Sequence, residues 1–442
     1  MNSLRRNTIR LSCAGIAAAG IDFLYRVIVS RQLGAGTVGL YALIMPVYAI
    51  CNAIIASGLP VAVMRLVAPY KEHPAERRRI VRAASLLILG AAAVIALLIV
   101  LFREELATFL RIDGQGRSLL VLALLVLVTG FDNLFYSYFY AVDEIAVPSF
   151  AQVLEQLLRL AVLFVLLPFI AKLNDSYAVV AWLLFITVLG EVFGALYLFL
   201  HYRKGMRGYI KNGDGRPIAA PTGSLLKISA PITLTRIVST AIVSVCTTLV
   251  PFRLTAWGMA QADAVALFGV LAGMVLPLVM LPNMLLRALS VLIVPTLSEN
   301  SAKQRHRDTA AKIKKTLRVT ALVVFPTAAL FIALSKPLGN LLFKNADAGL
   351  YIAPMTAAMV FMCFSQMLTS ILHGLGRQNM ASFYQIVCGL VQVALVYFLV
   401  GILGAQGVVW SYILPGVMLC VLLLFELRKA QYIGLIQPPE ST

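Results

Sequence analysis

The chain has 442 residues, of which 60% are hydrophobic and 13% charged, with a formal net charge of +18. A mean hydropathy of +0.90, with about half the roughly 25% charged residues of a soluble domain, excludes an ordinary globular enzyme and places the chain in a bilayer. The Lys and Arg excess sits in short loops where topology accounts for it, so nucleic-acid binding is excluded as well.

In chain order, apolar runs long enough to cross a bilayer fall at about 9–31, 38–69, 80–102, 118–141, 148–171, 177–201, 224–252, 264–296, 317–335, 350–373, 379–402 and 406–427. The fold class is an all-α polytopic membrane protein with about 12 transmembrane helices. MNSLRRNTIR looks like the start of a signal peptide. The apolar run continues past Asp22 and Arg26 without an A-x-A site, so the first helix is expected to be retained. A Gly-rich turn, Leu33 to Gly36, joins the first two spans. Kinks are expected at Pro46, Pro60, Pro231, Pro277 and Pro282. The six cysteines lie in apolar runs without a CxxC or Cys/His cluster, so no disulfide or metal site is expected.

With the N-terminus inside, Lys and Arg of the cytoplasmic segments outnumber those of the opposite side about three to one, which puts both termini in the cytoplasm. The 201–223 loop, rich in Gly, Pro and charge, reads as a linker. The expected organisation is an N-terminal six-helix lobe at 1–203, a cytoplasmic linker at 204–223 and a C-terminal six-helix lobe at 224–442. The lobes resemble each other. The run VGLYALIMP from Val38 lines up with VALFGVLAG from Val265, and PSFAQVLEQLLRL at Pro148 parallels ASFYQIVCGLVQV at Ala381. Repeats six spans apart share one orientation, which implies a pseudo-twofold axis along the membrane normal and a site between the lobes. That is a transporter architecture, and no enzymatic activity is expected.

Ionisable residues inside the spans are the candidate site, because charge at membrane depth costs several kcal/mol. Asp22 and Arg26 stand i,i+4 on one helix face. Either they neutralise each other and fix packing, or Asp22 orients Arg26 towards a central cavity. Arg236 is deep in the seventh span, while Arg65 and Arg287 occupy the late parts of the second and eighth. Glu155 and Arg159 form another i,i+4 pair, read as a structural clasp. Asp132 and Glu191 could bind a coupling cation or proton, or simply cap and pair. Several guanidiniums with few acids at depth suit phosphate or pyrophosphate, which Arg holds through forked contacts. No catalytic or metal residue and no Walker motif is present, so no cofactor is expected beyond a coupling cation or proton.

Four motifs carry a family resemblance: R-x-L-G-A-G-x-x-G-L-Y (Arg31 to Tyr41), S-G-L-P-x-A-V-x-R (Ser57 to Arg65), L-x-R-A-L-x-x-x-I-V-P-x-L-S-E (Leu285 to Glu299) and P-x-x-A-Q-V-x-E-Q-x-x-R (Pro148 to Arg159). Together the sequence resembles the stage V sporulation protein B and polysaccharide-exporter branch of the multidrug/oligosaccharidyl-lipid/polysaccharide (MOP) superfamily, to which the lipid II flippases also belong. The resemblance implies two pseudo-symmetric six-helix lobes around an alternating-access cavity. It also implies export of undecaprenyl-pyrophosphate-linked sugars across the bacterial inner membrane, with a role in spore cell-wall synthesis. Lipid II flippases place arginines from helices one, two and eight in the cavity. Arg26, Arg65 and Arg287 fit by position, with Arg236 added. The expected partners are a lipid-linked oligosaccharide and membrane lipids, and a monomer is expected. The alternative is a cation- or proton-coupled multidrug exporter of the same fold.

Overall fold

The computed structural model describes residues 2–70, 72–109, 116–206, 222–303 and 305–432. Among them there are helices and no strand. Helix α1 (Asn2–Ile55) contains two helices joined at Gly34, whose φ of 79° and ψ of 168° are not helical. Residues 10–70 drawn as one straight helix would span about 90 Å, three times the hydrocarbon thickness of a bilayer. The break at Gly34 divides that length into two crossings, and its positive φ costs glycine nothing. The expected turn is therefore real.

Further along run α2 (Gly58–Val67), α3 (Pro74–Leu101), α4 (Arg103–Phe109), α5 (Gly116–Ala141), α6 (Ala146–Ile170), α7 (Ser176–Met206) and α8 (Thr222–Ala256). Then come α9 (Gln261–Phe268), a π-helical stretch (Gly269–Val275), α10 (Leu276–Val279) and α11 (Leu281–Ala302). The chain continues through α12 (His306–Ala333), α13 (Ser335–Phe343), α14 (Ala346–Gly374), α15 (Gln378–Leu403) and α16 (Ala405–Tyr432).

Among the described residues, 12 helices are long and apolar enough to cross a membrane, but they partition the chain differently from the sequence reading. Arg10–Tyr70 takes in two expected spans, whereas the expected span 264–296 is divided between Gln261–Val279 and Leu281–Ser301. Proline causes the division. Pro277 and Pro282 each stand at the first turn of a new helix, where the missing N–H breaks no hydrogen bond. Pro46 instead sits inside α1.

The chain forms two compact units, Met1–Tyr25 with Leu40–Ser244 and Arg26–Gly39 with Val245–Thr442. The division thus falls within α1 and α8, away from the expected linker at 204–223, of which 207–221 lie outside the described residues. Close backbone packing explains both crossings. A β-carbon on Gly39 would overlap the Val265 carbonyl, and one on Gly269 the Ala35 carbonyl, so 26–39 is held by the C-terminal half. A β-carbon on Gly58 would overlap Ser229 and Thr233, so the start of α8 is held by the N-terminal half.

In the first unit α5 packs on α2, α3 and α7, and α6 packs on α7. In the second, α14 packs on α11, α12, α13 and α16, and α15 on α16. The central helices α5 and α14 lie six spans apart, at corresponding places of the repeat.

Candidate functional site

The spans of the first unit carry a polar cluster contributed by α1, α5, α6 and α7. Arg159 on α6 donates to Asp22 Oδ1 at 3.3 Å and to the Tyr41 hydroxyl at 3.3 Å, both on α1. Its guanidinium carbon lies 4.1 Å from the centre of the Tyr25 ring, where the cation meets the negative face of the ring. The pair is well enclosed, with the Arg159 side chain 12% exposed and that of Asp22 24%.

Glycines on α7 allow this approach. The GEVFG run places Gly190 and Gly194 one turn apart, the small-residue spacing that lets membrane helices come close. A β-carbon on Gly194 would overlap the Glu155 carboxyl, and one on Gly190 would press on the Arg159 Cβ at 3.2 Å. Between them Glu191 points to α1 and α5. It accepts from the Tyr48 hydroxyl at 3.2 Å and from the Thr129 hydroxyl, which is itself 3.0 Å from Tyr48. Glu155 accepts from Tyr136 at 2.8 Å. Asp132, 6% exposed, lies one turn from Thr129 and from Tyr136 along α5, and its Oδ1 has no partner among the described residues. Asp132, Glu155 and Glu191 are within electrostatic reach of one another, and Glu191 is within reach of Arg159.

One local reading is thereby corrected. Glu155 and Arg159 do not clasp each other: Arg159 turns to Asp22, 137 residues away, while Glu155 packs against Gly194 and takes the Tyr136 hydroxyl. Asp22, expected beside Arg26, also accepts from Arg159. The i,i+4 spacing put Glu155 and Arg159 on one helix, but each takes its partner from another element.

The expectation of few acids at depth also needs revision for this unit. Asp22 pairs with Arg159, Glu191 is within its electrostatic reach, and Asp132 and Glu155 are within reach of Glu191. Acids therefore outnumber guanidiniums even with Arg26 counted beside Asp22 on the same helix. The hydroxyls of Tyr48, Thr129 and Tyr136 escaped the sequence reading because an apolar run gives no sign of which phenol will meet a carboxylate. The Gly190/Gly194 spacing was the available signal. Among the described residues, no three His, Cys, Asp or Glu side chains converge to hold a metal ion.

The other candidate arginines are distributed. Arg65 and Arg236 belong to the first unit, Arg26 and Arg287 to the second. Arg65, Arg236 and Arg287 are exposed and Arg26 is half-buried. None of the three exposed guanidiniums has an ion-pair partner among the described residues.

The fold is that of the MOP superfamily, in a multi-pass membrane protein that carries this polar cluster within its spans. Structural comparison agrees. A multidrug resistance MATE family transporter of that superfamily in an inward-facing conformation matches with a TM-score of 0.74 at 16% identity, covering 96% of this chain and 98% of the other. The lipid II flippase MurJ in an inward closed conformation matches with 0.72 at 14% identity, covering 95% and 87%. The chain belongs to the polysaccharide biosynthesis protein family, which matches residues 4–301. It is also 24% identical over 416 residues to the stage V sporulation protein B of Bacillus subtilis (strain 168), covering 90% of this chain and 79% of that protein.

Proposed function

We propose that the protein is a flippase carrying undecaprenyl-pyrophosphate-linked sugars, a lipid II-like or polysaccharide precursor, across the bacterial inner membrane by alternating access. Both termini then lie in the cytoplasm, and the protein acts as a carrier, not an enzyme. The observation that carries this reading is the exposure of Arg65, Arg236 and Arg287 on apolar helices without an ion-pair partner among the described residues. A guanidinium at that depth is costly in hydrocarbon; a water-lined path with an anionic cargo relieves that cost, and a pyrophosphate fits the planar fork of Arg. Family membership in polysaccharide biosynthesis supports the sugar, and the name of the Bacillus relative supports a place in sporulation.

Coupling falls to the acids of the first unit. The four carboxyls of the cluster carry more negative charge than the guanidiniums nearby can neutralise, so protons or a cation balance the rest. The enclosed Asp132 carboxyl, whose Oδ1 has no partner among the described residues, favours the proton.

The test is headgroup accessibility of a lipid-linked sugar in proteoliposomes. Replacing Arg236 and Arg287 with Ala should slow translocation at least about tenfold, or about 1.4 kcal/mol per tenfold step, with the folded protein still recovered. Unchanged flipping would sink the reading. The acid cluster and the MATE resemblance favour a second reading, a proton- or cation-coupled multidrug exporter. That reading predicts dye efflux dependent on Asp132 and Glu191 and indifferent to the arginines.

A further inference from the structure

A second polar feature of the first unit lies outside the acid cluster. A cavity of about 380 Å³ opens where the start of α3 meets the ends of α5 and α7. It falls at the lower end of the roughly 300–1,000 Å³ typical of ligand sites. Arg78, Arg82 and Arg203 line it, with Phe131, Phe135, Phe199 and Tyr202, and no Asp or Glu does. The aromatic floor is built as one block: Phe135 stacks on Phe131, Phe199 and Tyr202 with centroids 4.8, 5.7 and 5.3 Å away. Arg203 lies 5.8 Å above the Phe199 ring, which leaves its fork free to face an anion. None of the three arginines has an ion-pair partner among the described residues. Beyond the cavity α3 turns apolar and exposed, with Leu86 77%, Leu97 57% and Leu101 63% accessible. A cationic pocket thus lies at the foot of a greasy helix face.

We propose that this cavity binds the phosphate headgroup of an anionic glycerophospholipid from the leaflet on the side of the basic loops, with an acyl chain lying along α3. Three observations converge on that ligand. Three guanidiniums without a carboxylate select a phosphate, and basic pockets between membrane helices hold anionic headgroups. The rigid aromatic floor suits the glycerol region, where a polar head gives way to hydrocarbon. The volume fits a headgroup and leaves the tail outside, where the exposed leucines of α3 continue the surface. The site is separate from the transport reading above, and its test does not measure transport.

The full chain is purified in detergent and titrated with phosphatidylglycerol, phosphatidylcholine, inorganic phosphate and a polyprenyl pyrophosphate, with bound ligand counted by native mass spectrometry. Phosphatidylglycerol should be retained over phosphatidylcholine. The triple change Arg78→Gln, Arg82→Gln and Arg203→Gln should weaken it on the order of 100-fold, at about fivefold per arginine near a membrane surface. Ser85→Trp keeps every charge but fills the cavity wall, and should weaken retention at least about tenfold; it decides the matter if the triple variant does not fold. Lys312→Gln, Lys314→Gln and Lys315→Gln on α12 should leave retention unchanged. Retention by Ser85→Trp, or an equal loss in the α12 variant, would overturn the proposal in favour of general surface charge. Equal retention of inorganic phosphate would assign the cavity to a free anion. Preference for the polyprenyl pyrophosphate would make it a loading site for cargo. Either result also overturns the phospholipid assignment.

Discussion

The two repeats share a fold and differ in what they bury. In the first unit α6 carries Glu155 and Arg159. The repeat alignment puts Cys388 and Gln392 of α15 at the corresponding places, and Cys388 is buried and uncharged. At the centre of the first unit α5 holds Asp132. At the centre of the second, α14 buries hydroxyls: Ser370 donates to Ser290 at 2.9 Å, Thr369 accepts from Gln385 at 3.2 Å, and Ser365 is 3.0 Å from the Cys420 sulfur. Two ion pairs of the second unit lie at the ends of its helices: Arg377, just before α15, meets Glu426 near the end of α16, and Lys303 meets Glu299 at the end of α11. The first unit therefore holds a cluster of carboxyls at membrane depth, whereas the candidate charges of the second, Arg26 and Arg287, are guanidiniums. Charge in a low-dielectric interior is retained against a steady cost, so on the function proposed above coupling falls to the first unit.

The hardest way to break that contrast is to remove Arg159. Asp22 would lose its guanidinium in an enclosed site, and stripping one partner from a buried pair costs roughly 3–5 kcal/mol. Arg159→Ala should therefore lower the thermal unfolding midpoint far more than Gln392→Ala, whose expected cost is about 1 kcal/mol. Equal shifts, measured in detergent on both purified variants, would show that the two repeats carry the same load.

The next effect is functional. Glu191→Gln and Asp132→Asn keep shape while removing charge. Each should reduce proton uptake accompanying transport at least about tenfold, a step of 1.4 kcal/mol. Glu426→Gln should alter stability and leave proton uptake at the native level. Uptake measured with a pH-sensitive dye inside proteoliposomes separates the outcomes, and a loss in Glu426→Gln would place coupling in both units.

Much of this architecture was legible because bilayer length and hydropathy constrain a membrane helix strongly. The turn at Gly34 and the repeat of Val38 with Val265 could be read directly, and those repeat segments meet where Gly39 touches Val265. Helix partners across the bundle could not. Spacing along one helix offered Glu155 to Arg159, because i,i+3 and i,i+4 neighbours on one helix are what a linear pattern shows. The choice of Asp22 for Arg159 depends on how closely α6 approaches α7 over Gly190 and Gly194, and on where that sets the guanidinium relative to α1. The division of the expected eighth span was foreshadowed by Pro277 and Pro282, which start helices where kinks were expected. The π-helical stretch before them has no comparable signal in its residues.

The smallest predicted effect makes the sharpest comparison. Tyr48 on α1 and Tyr384 on α15 each donate to a carboxylate that a second group also serves: Glu191 has Thr129, and Glu426 has Arg377. Removing either phenol oxygen therefore leaves no carboxylate without a donor, and each Tyr→Phe change should cost only about 1 kcal/mol of stability. The effects on transport should differ. A carboxyl that takes and releases a proton during transport depends on every donor, since each donor favours its charged form. Tyr48→Phe should accordingly change the pH dependence of transport, because Glu191 would lose one of its two hydroxyl donors. Tyr384→Phe touches a carboxylate already fixed by a guanidinium, and should leave that profile where it was. Parallel pH profiles of the two variants in proteoliposomes decide the matter: two equal shifts, or none, would remove the distinction between a working carboxylate and a structural one.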